Sequence, residues 1–355
     1  MRKISLDIKT IIIFICVLLK YLIEYKVNTY ILYTTVLVIL FFQFLRLLNN
    51  IKNNNILLKI FIFFILSAIS VLIYKDVNLL ITYVLALTLI NCDIKEFLKK
   101  FMISSSIMYI ITLFLYFTGI LNDNYLIRIT TNGYLIRHSL GFTHPNSIFM
   151  YYIPIVLCAY IINNNKIKFY SIFSILSLIL YKLSLSRTGI YCIIILFLLD
   201  IFKEKLNYKK IISWLPLLFF CASYLLAIKI GISKNNDINI LLSNRPYLWN
   251  QIIENGSIFT LFGSNVLNEL YLDNFYLAII YRCGLFLSLL YYFILIFGVK
   301  HINNNKIIVA IFIFMVYGLA ESNTIIGSIN FTLAILLYSI IHNKLDFGGN
   351  IDDKE

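Results

Sequence analysis

The sequence predicts an all-α polytopic membrane protein, and three observations support this prediction. Of the 355 residues, 61% are hydrophobic and 13% are charged, and the mean hydropathy is +0.87. Soluble domains are closer to half apolar and a quarter charged. The apolar residues also form runs of about 15 to 25 residues, long enough for helices that cross a bilayer core of about 30 Å. We therefore expect a single integral membrane domain over residues 1–355.

Hydropathy divides the chain into about twelve predicted transmembrane helices, or ten to eleven because the first and eighth segments are short or interrupted. The predicted spans are 8–24, 29–48, 56–74, 77–92, 101–120, 147–163, 168–186, 189–202, 211–230, 271–299, 306–320 and 325–342. Two connections are long, about 121–146 and 231–270, and both are expected on the external side. Loops longer than about 12–15 residues are usually functional or disordered, so these two external loops are the first places to look for a site.

The distribution of lysine and arginine predicts the orientation. With the N-terminus in the cytoplasm, most of the 30 basic residues fall in inner segments, which satisfies the positive-inside rule. Twelve spans then return the C-terminus to the cytoplasm. Arg2 and Lys3 precede the first apolar run, but no small-residue cleavage site follows, so the first helix is expected to stay uncleaved. The net charge of +13 therefore reflects topology, and no nucleic-acid partner is expected.

Arginine is distributed differently from lysine. Five of the seven arginines fall on the predicted outer side: Arg128, Arg137, Arg187, Arg245 and Arg282. The planar guanidinium group binds phosphate or carboxylate through two parallel hydrogen bonds. The alternative is that individual arginines only extend to the lipid interface. The bias towards arginine favours an external site for an anion.

Two of these arginines stand at helix boundaries. Segment 245–255 has apolar residues at 248, 249, 252 and 253, the spacing of an amphipathic helix that starts near Asn244 and ends before Gly256. We expect that helix to lie in the outer interface. Arg245 at its N-terminus suits a pyrophosphate, because helix N-termini attract anions. Arg187 lies between two spans, where Gly189 is expected to allow a tight reversal. The alternatives are a surface arginine and a snorkelling arginine.

Other polar residues cluster at the same predicted side. His144-Pro145-Asn146 precedes a span, where His144 is either a general base or part of a helix cap. Asp273 opens another span and is expected to face one cavity with Arg282, or only to complement the helix dipole. Glu321 ends a span, and acids at such depth usually line a cavity or pair with a cation. No metal-ligand, phosphate-loop, dinucleotide or Gly-x-Ser-x-Gly motif is present, so no metal and no cofactor are expected.

These motifs resemble, in their order, the Wzy-type polysaccharide repeat-unit polymerases, which belong to one superfamily with the O-antigen ligases. The resemblance covers about residues 140–325. It consists of Gly141-Phe142-Thr143-His144-Pro145-Asn146, Ser186-Arg187-Thr188-Gly189, Asn244-Arg245-Pro246-Tyr247-Leu248-Trp249, Leu261-Phe262-Gly263, Leu272-Asp273-Asn274-Phe275-Tyr276, Gly284-Leu285 and Ala320-Glu321. Each motif is short, and the specificity lies in their order and predicted topology.

The resemblance implies an inverting, metal-independent glycosyltransferase with a GT-C-like helical bundle in the bacterial cytoplasmic membrane. Its substrate would be undecaprenyl-pyrophosphate-linked oligosaccharide repeat units, joined into capsular polysaccharide, exopolysaccharide or O-antigen at the outer face. A chain-length regulator and a flippase are the expected protein partners. The pyrophosphate would be bound by Arg187 and Arg245, with Arg137 and Arg282 as lesser candidates. The expected catalytic residues are His144, Asp273 and Glu321, and the expected substrate-binding residues are Asn146, Tyr247 and Asn274.

Three alternatives stay open. An O-antigen-type ligase uses similar chemistry, but the ligases have a histidine in the second long loop, and segment 231–270 contains none. A lipid-linked oligosaccharide flippase or other transporter suits twelve spans, although no repeat between the two halves is visible and the polar residues gather on one side. A purely structural membrane subunit would not explain the external arginines.

Overall fold

The computed structural model describes residues 7–24, 35, 38–39, 54–74, 77–90, 92–130, 133–202, 208–234, 236–255, 260–261 and 272–342. Within these ranges the chain forms thirteen α-helices, one short 3-10 helix and one β-hairpin. The prediction of an all-α architecture is confirmed.

Most described helices begin within a few residues of a predicted span. The helices are α1 (Ile8–Glu24), α2 (Asn54–Tyr74), α3 (Asn78–Leu89), α4 (Ile94–Phe117), α5 (Pro145–Ile162), α6 (Lys166–Ser184), α7 (Arg187–Phe202), α8 (Tyr208–Ile230), α9 (Asp237–Leu241), α10 (Arg245–Asn255), α11 (Phe275–Lys300), α12 (Asn305–Gly318) and α13 (Phe331–His342). Helix α10 begins and ends where the apolar spacing predicts. Helix α4 begins seven residues before its predicted start, and α13 begins six residues after it.

Six of the described helices are long and apolar enough to cross a membrane, namely α2, α4, α5, α6, α8 and α11. Helices α3, α12 and α13 are apolar but shorter. Helices α1 and α7 have 17 and 16 residues. Both are slightly shorter than the length of about 20 residues that a helix needs to cross a membrane completely. The predicted span 29–48 lies almost wholly outside the described residues, so the number of twelve crossings stays a prediction.

A β-hairpin lies in the first long loop, where no strand was expected. Strands β1 (Leu126–Thr130) and β2 (Gly133–Arg137) pair antiparallel, with Leu126 opposite Arg137. Asn132-Gly133 between two runs with β-branched residues is a typical hairpin signal. The difference arises because the prediction searched for long apolar helical spans. The two strands are too short and too polar to be recognised as such a span.

Helices α3, α5, α11, α12 and α13 lie inside the bundle, since most of their residues are buried. Helix α11 packs against α8 and α13, α5 packs against α4, and α12 packs against α7. Helix α6 instead exposes an apolar face that includes Ile172, Ile175 and Ile179. Apolar residues all around a helix indicate burial, and an exposed apolar face on a long helix suits contact with lipid.

The connection between α12 and α13 is not helical but is almost fully buried. A 3-10 turn (Ser322–Ile325) follows α12, and the Thr324 hydroxyl donates to the Glu321 carbonyl at 3.0 Å. The Asn330 amide donates to the Thr324 carbonyl at 3.1 Å. Irregular backbone is tolerated inside a membrane protein when the protein itself satisfies its polar groups. This connection delays the start of α13 and places the Glu321 carboxyl group against the Asn146 amide.

Candidate functional site

Arg187 and Arg245 each occupy the first position of a helix, α7 and α10. The reversal before α7 is made by Leu185, which ends α6 with a left-handed φ of 48°. Gly189 lies within α7, where a Cβ atom would collide with the ring of Phe149. The prediction that Gly189 forms the reversal is therefore wrong, because this glycine serves close packing between helices. The prediction of a helix starting at Arg245 is confirmed.

The turn before α10 joins the two arginines. The Arg187 Nη2 donates a hydrogen bond to the Ser243 Oγ at 3.0 Å, and Ser243 lies two residues before Arg245. Among the described residues no carboxylate lies within ion-pair distance of Arg187. Helix N-termini add a partial positive charge and N–H groups that have no partner in their own helix. Positive charge is therefore concentrated where α7 and α10 begin.

Asp273 holds Arg245 in place. The Arg245 Nε lies 2.6 Å from the Asp273 Oδ2, and the Trp249 Nε1 donates to the Asp273 Oδ1 at 2.9 Å. Both carboxylate oxygens are thus engaged by α10. The expectation that Asp273 faces Arg282 is wrong, because Asp273 lies two residues before the start of α11 and its carboxylate is held by Arg245 and Trp249 of α10.

A second polar chain links the β-hairpin to the bundle. The Arg137 Nη2 donates to the Asn146 Oδ1 at 2.6 Å, and its Nε donates to the Ser184 carbonyl at 3.0 Å. The Asn146 Nδ2 donates to the Glu321 Oε1 at 2.8 Å. The two bonds fix the orientation of the Asn146 amide. Glu321 is therefore linked to Arg137 through one intermediate side chain.

Glu321 is only 3% exposed and lies in the connection between α12 and α13, outside both helices. Burial, and then the nearby Asp273 carboxylate, raise the pKa of Glu321 to about 8, although Arg245, Asn146 and Arg137 act in the opposite direction. An acid with a raised pKa is largely neutral at pH 7. Glu321 therefore serves at neutral pH mainly as a hydrogen-bond acceptor for Asn146.

Two cavities meet at the arginines. The first, of about 660 Å³, has a mainly apolar wall from α7, α8 and α12 that includes Ile195, Leu218 and Val316. The second, of about 610 Å³, lies beside the hairpin and is lined by Arg137, Asn146 and Asn244 among others. Both cavities share the residues Arg187, Thr188, Ser243 and Arg245. The second cavity also has apolar wall residues such as Leu126 and Ile127, but it is the more polar of the two and is called the polar cavity below. The shared residues form a cationic junction between this cavity and the apolar one.

His144 forms the cap of α5. Its Nδ1 accepts a hydrogen bond from the Asn146 backbone N–H at 3.0 Å, and Pro145 occupies the first helical position. In a neutral imidazole one ring nitrogen accepts and the other carries the proton. With the Nδ1 lone pair used by the cap, the ring has no second lone pair with which to accept a proton. Of the two interpretations offered by the sequence, the geometry favours the cap over the general base.

Gly141 explains the shape of the chain just before this cap. Its φ is +86°, and a Cβ atom there would lie 2.8 Å from the Tyr116 Cβ. Only glycine adopts this conformation without strain so close to a neighbouring helix. The close approach to α4 directs the chain into α5 and sets His144 and Asn146 at the helix entrance.

The three predicted catalytic residues His144, Asp273 and Glu321 line neither cavity, and the remaining predicted site residues also stand apart from the cavities. Asn274 is fully buried, and its amide donates to Ser223 at 2.9 Å and to the Leu319 carbonyl at 3.0 Å. It positions α11 and does not reach a ligand, which corrects its predicted role in substrate binding. The hydroxyl of Tyr247 accepts from Gln251 at 2.9 Å. Neither Tyr247 nor Arg282 lines either cavity.

Sequence reasoning did not identify Thr188, Ser243 or Asn244 as site residues. All three line the polar cavity beside Arg187 and Arg245. The available signal was their adjacency to the two arginines in the chain. Ser243 and Asn244 also adopt left-handed φ values of 61° and 60°, which only the structure reveals.

Among the described residues, no group of three or more His, Cys, Asp and Glu side chains is placed to hold a metal ion. The candidate site therefore consists of arginine side chains, helix N-termini and neutral polar groups. Such groups bind anionic oxygen atoms directly.

Comparison with known proteins identifies no relative. No family model matches the chain, and no curated protein or solved structure is similar enough to match it. The resemblance of the motifs to the Wzy-type polymerases therefore stays a prediction from the sequence, and the geometry of the described residues has to support the functional interpretation.

Proposed function

We propose that this protein is a membrane glycosyltransferase that polymerises undecaprenyl-pyrophosphate-linked oligosaccharide repeat units at the outer face of the bacterial cytoplasmic membrane. One observation supports this proposal above the others. An apolar cavity and a polar cavity share a boundary at Arg187, Thr188, Ser243 and Arg245. A polyprenyl-pyrophosphate-linked glycan has the same three parts in the same order: an apolar chain, a diphosphate and a polar sugar.

Each compartment suits one part of that substrate. The apolar cavity, with walls such as Leu218 and Leu226, suits the isoprenoid chain next to the diphosphate. The two arginines and the helix N-termini suit the diphosphate. The polar cavity, with Arg137 and Asn146, suits the sugars. A substrate bound in this way has its reactive carbon at the junction of the two cavities.

The proposed reaction is an inverting displacement. A hydroxyl oxygen of the acceptor glycan attacks the anomeric carbon of the donor sugar, and the bond from that carbon to the pyrophosphate oxygen breaks. The electron pair leaves with undecaprenyl pyrophosphate, and the hydroxyl proton passes to a base. Arg187 and Arg245 would stabilise the negative charge that grows on the leaving group. None of the three predicted bases lines either cavity, and we favour Asp273 because its partner Arg245 lies at the junction of the two cavities.

Deletion of the gene followed by sizing of the surface glycan tests this proposal. We expect long chains to disappear while single repeat units still reach the surface. Long chains that accumulate on the lipid carrier would indicate a ligase instead. Lipid-linked repeat units confined to the cytoplasmic leaflet would indicate a flippase, and an unchanged glycan would contradict all three enzymatic or transport roles.

Complementation with point variants then tests the site. Arg187→Ala and Arg245→Ala should each fail to restore long chains at normal protein levels. Arg282→Ala is the matched control, because Arg282 is a predicted outer arginine that lines neither cavity. It should restore normal chains. Normal chains in both Arg187→Ala and Arg245→Ala would contradict the assignment of the diphosphate to this junction.

A further inference from the structure

The oxygen of the Asn244 amide is buried and makes no hydrogen bond with any described residue. Buried polar atoms in folded proteins almost always have a partner, so an exception calls for an explanation. Asn244 also lines the polar cavity next to Arg187 and Arg245. A buried acceptor without a described partner, in a residue that lines a cavity, points to a ligand that bonds this oxygen once the amide turns towards the cavity.

Other helices in this protein show what the same residue usually does. Asparagine precedes α6, α11 and α12 as well as α10. The Asn165 oxygen accepts from the Lys168 N–H at 3.1 Å, the Asn274 oxygen from the Leu277 N–H at 3.0 Å, and the Asn304 oxygen from the Ile307 N–H at 3.1 Å. These are ordinary helix caps. Asn244 stands in the equivalent position before α10, yet its oxygen caps nothing.

The backbone explains the exception. Asn244 has a left-handed φ of 60°, and the preceding Ser243 has a φ of 61°, whereas the three capping asparagines have negative φ values. The Asn244 N–H is bonded to the Asn239 carbonyl at 2.6 Å, and its carbonyl accepts from the Leu248 N–H at 3.1 Å. The main chain is thus held firmly in a conformation that costs free energy for a residue other than glycine. In this conformation the side-chain oxygen does not accept a hydrogen bond from the first N–H groups of α10.

The chemistry of the missing partner can be specified. An amide oxygen accepts hydrogen bonds and cannot donate them, so its partner must carry an N–H or O–H group. An ionised diphosphate has neither. The sugar attached to that diphosphate carries hydroxyl groups and, in acetamido sugars, an amide N–H. Because the oxygen makes no hydrogen bond with any described residue, turning the amide towards the cavity breaks no such bond of that oxygen.

We propose that Asn244 recognises the sugar bonded directly to the pyrophosphate by accepting a hydrogen bond from one of its hydroxyl or amide groups. This inference rests on the proposed function, since it requires a lipid-linked sugar in the junction. It assigns separate tasks to adjacent residues: Arg245 binds the diphosphate, and Asn244 distinguishes a diphosphate that carries a sugar from one that does not.

Binding of two probes to the purified full-length protein tests the proposal. The probes are undecaprenyl pyrophosphate and undecaprenyl-pyrophosphate-linked N-acetylglucosamine. The wild type should bind the glycosylated probe about tenfold more tightly than the bare one, as expected for one well-placed hydrogen bond to a buried acceptor. Asn244→Gly should abolish that difference and leave binding of the bare probe unchanged. Glycine is the chosen replacement because it adopts the positive φ without strain.

Two further variants complete the experiment. Asn244→Asp keeps an acceptor oxygen and adds a negative charge near the diphosphate. It should therefore weaken the binding of both probes and preserve the ratio of their affinities. Asn163→Ala changes an exposed asparagine at the opposite end of α5 and should bind both probes like the wild type.

Several outcomes would overturn the inference. A wild type that binds both probes equally, or an Asn244→Gly variant that keeps the tenfold preference, excludes recognition by Asn244 but leaves the polymerase proposal standing. Failure of the wild type to bind either probe would overturn both. Glycan sizing with the Arg187 and Arg245 variants judges the polymerase proposal separately.

Discussion

The two ends of α7 handle charge in opposite ways. Arg187 begins the helix, and Asp200 lies in its last turn. Each charge is unfavourable for its own position, because a helix N-terminus attracts anions and a C-terminus attracts cations. The difference lies in what surrounds them.

At the Asp200 end, side chains of the protein itself bind the carboxylate. The side chain is 2% exposed and accepts hydrogen bonds from the hydroxyls of Tyr160, at 2.8 Å, and Tyr170. The Lys166 Nζ lies 3.5 Å from the same carboxylate. These contacts join α5, α6 and α7, so Asp200 stabilises the packing of these three helices.

At the Arg187 end the described residues provide only the neutral Ser243 hydroxyl. Two cavities open at this point, and Arg245 adds a second guanidinium group, whose Nε is paired with Asp273. A charge that is satisfied within the protein stabilises the fold, whereas one left beside a cavity favours binding of an opposite charge. The contrast supports the proposal that an anionic ligand binds at the Arg187 end, whereas the Asp200 carboxylate is satisfied by the protein itself.

The largest expected effect is on catalysis at the Arg187 end. Arg187→Ala and Arg245→Ala should each lower polymerisation by roughly 10²- to 10³-fold, the usual loss when a group that stabilises transition-state charge is removed. Arg187→Lys should also be defective, because an ammonium group does not form the paired hydrogen bonds of a guanidinium. Polymerisation of lipid-linked repeat units by purified variants measures this, and thermal unfolding should show an unchanged midpoint for the Arg187 variants.

The Asp200 end should respond with stability instead of activity. Asp200→Ala leaves the buried Tyr160 hydroxyl without its acceptor and should cost about 1–3 kcal/mol of stability. The fraction that remains folded should polymerise at the wild-type rate. Asp200→Asn, which keeps an acceptor of the same shape, should lie between Ala and wild type. If Asp200→Ala had a normal thermal unfolding midpoint but no polymerisation activity, the conclusion that Asp200 is structural and not functional would be wrong.

Glu321 tests whether the second polar chain positions Arg137 or supplies the base. Glu321→Gln keeps an acceptor for Asn146 and should retain near-normal polymerisation, whereas Glu321→Ala should lower it about tenfold. A general base would not survive the change to glutamine. An inactive but folded Glu321→Gln variant would therefore show that Glu321 acts as the base.

The same residue makes a pH prediction. The folded pKa of Glu321 is raised from 4.5 to about 8, so its neutral form is favoured in the folded protein. Wild-type stability relative to Glu321→Gln should therefore be greatest at low pH and should fall as the pH rises through about 8. Thermal unfolding of both proteins across this range measures the change. A constant difference between them would contradict a buried neutral acid.

The smallest expected effect lies at the base of the β-hairpin. Burial by itself would raise the pKa of Asp123, but hydrogen bonds from His138 and Ser139 hold it below its usual range. Asp123→Asn should therefore lower stability at neutral pH, by less than about 1 kcal/mol because the pair is partly exposed. The deficit should vanish as the pH falls through the folded pKa and Asp123 is protonated in the wild type as well. Thermal unfolding at neutral and acidic pH checks this sign.

Much of the architecture was predictable because it depends on neighbouring residues in the chain. The long apolar runs became helices, and the 245–255 helix appeared where the apolar spacing placed it. The proline at the start of α5 also lies in the first helical position, as expected. Errors occurred where short-range patterns were weak, as in the β-hairpin, or where a glycine had two uses, as at Gly189.

The partners of the polar residues were decided by the tertiary structure alone. Asn146 and Glu321 are 175 positions apart in the chain, and Asp273 reaches Arg245 on another helix instead of Arg282 on its own. Composition and periodicity determined that this chain folds as apolar helices with arginines near their ends, because helix formation and hydrophobic burial follow from local sequence. Which of those charged groups are balanced and which face a cavity depends on how distant helices pack, and only the folded bundle settles that.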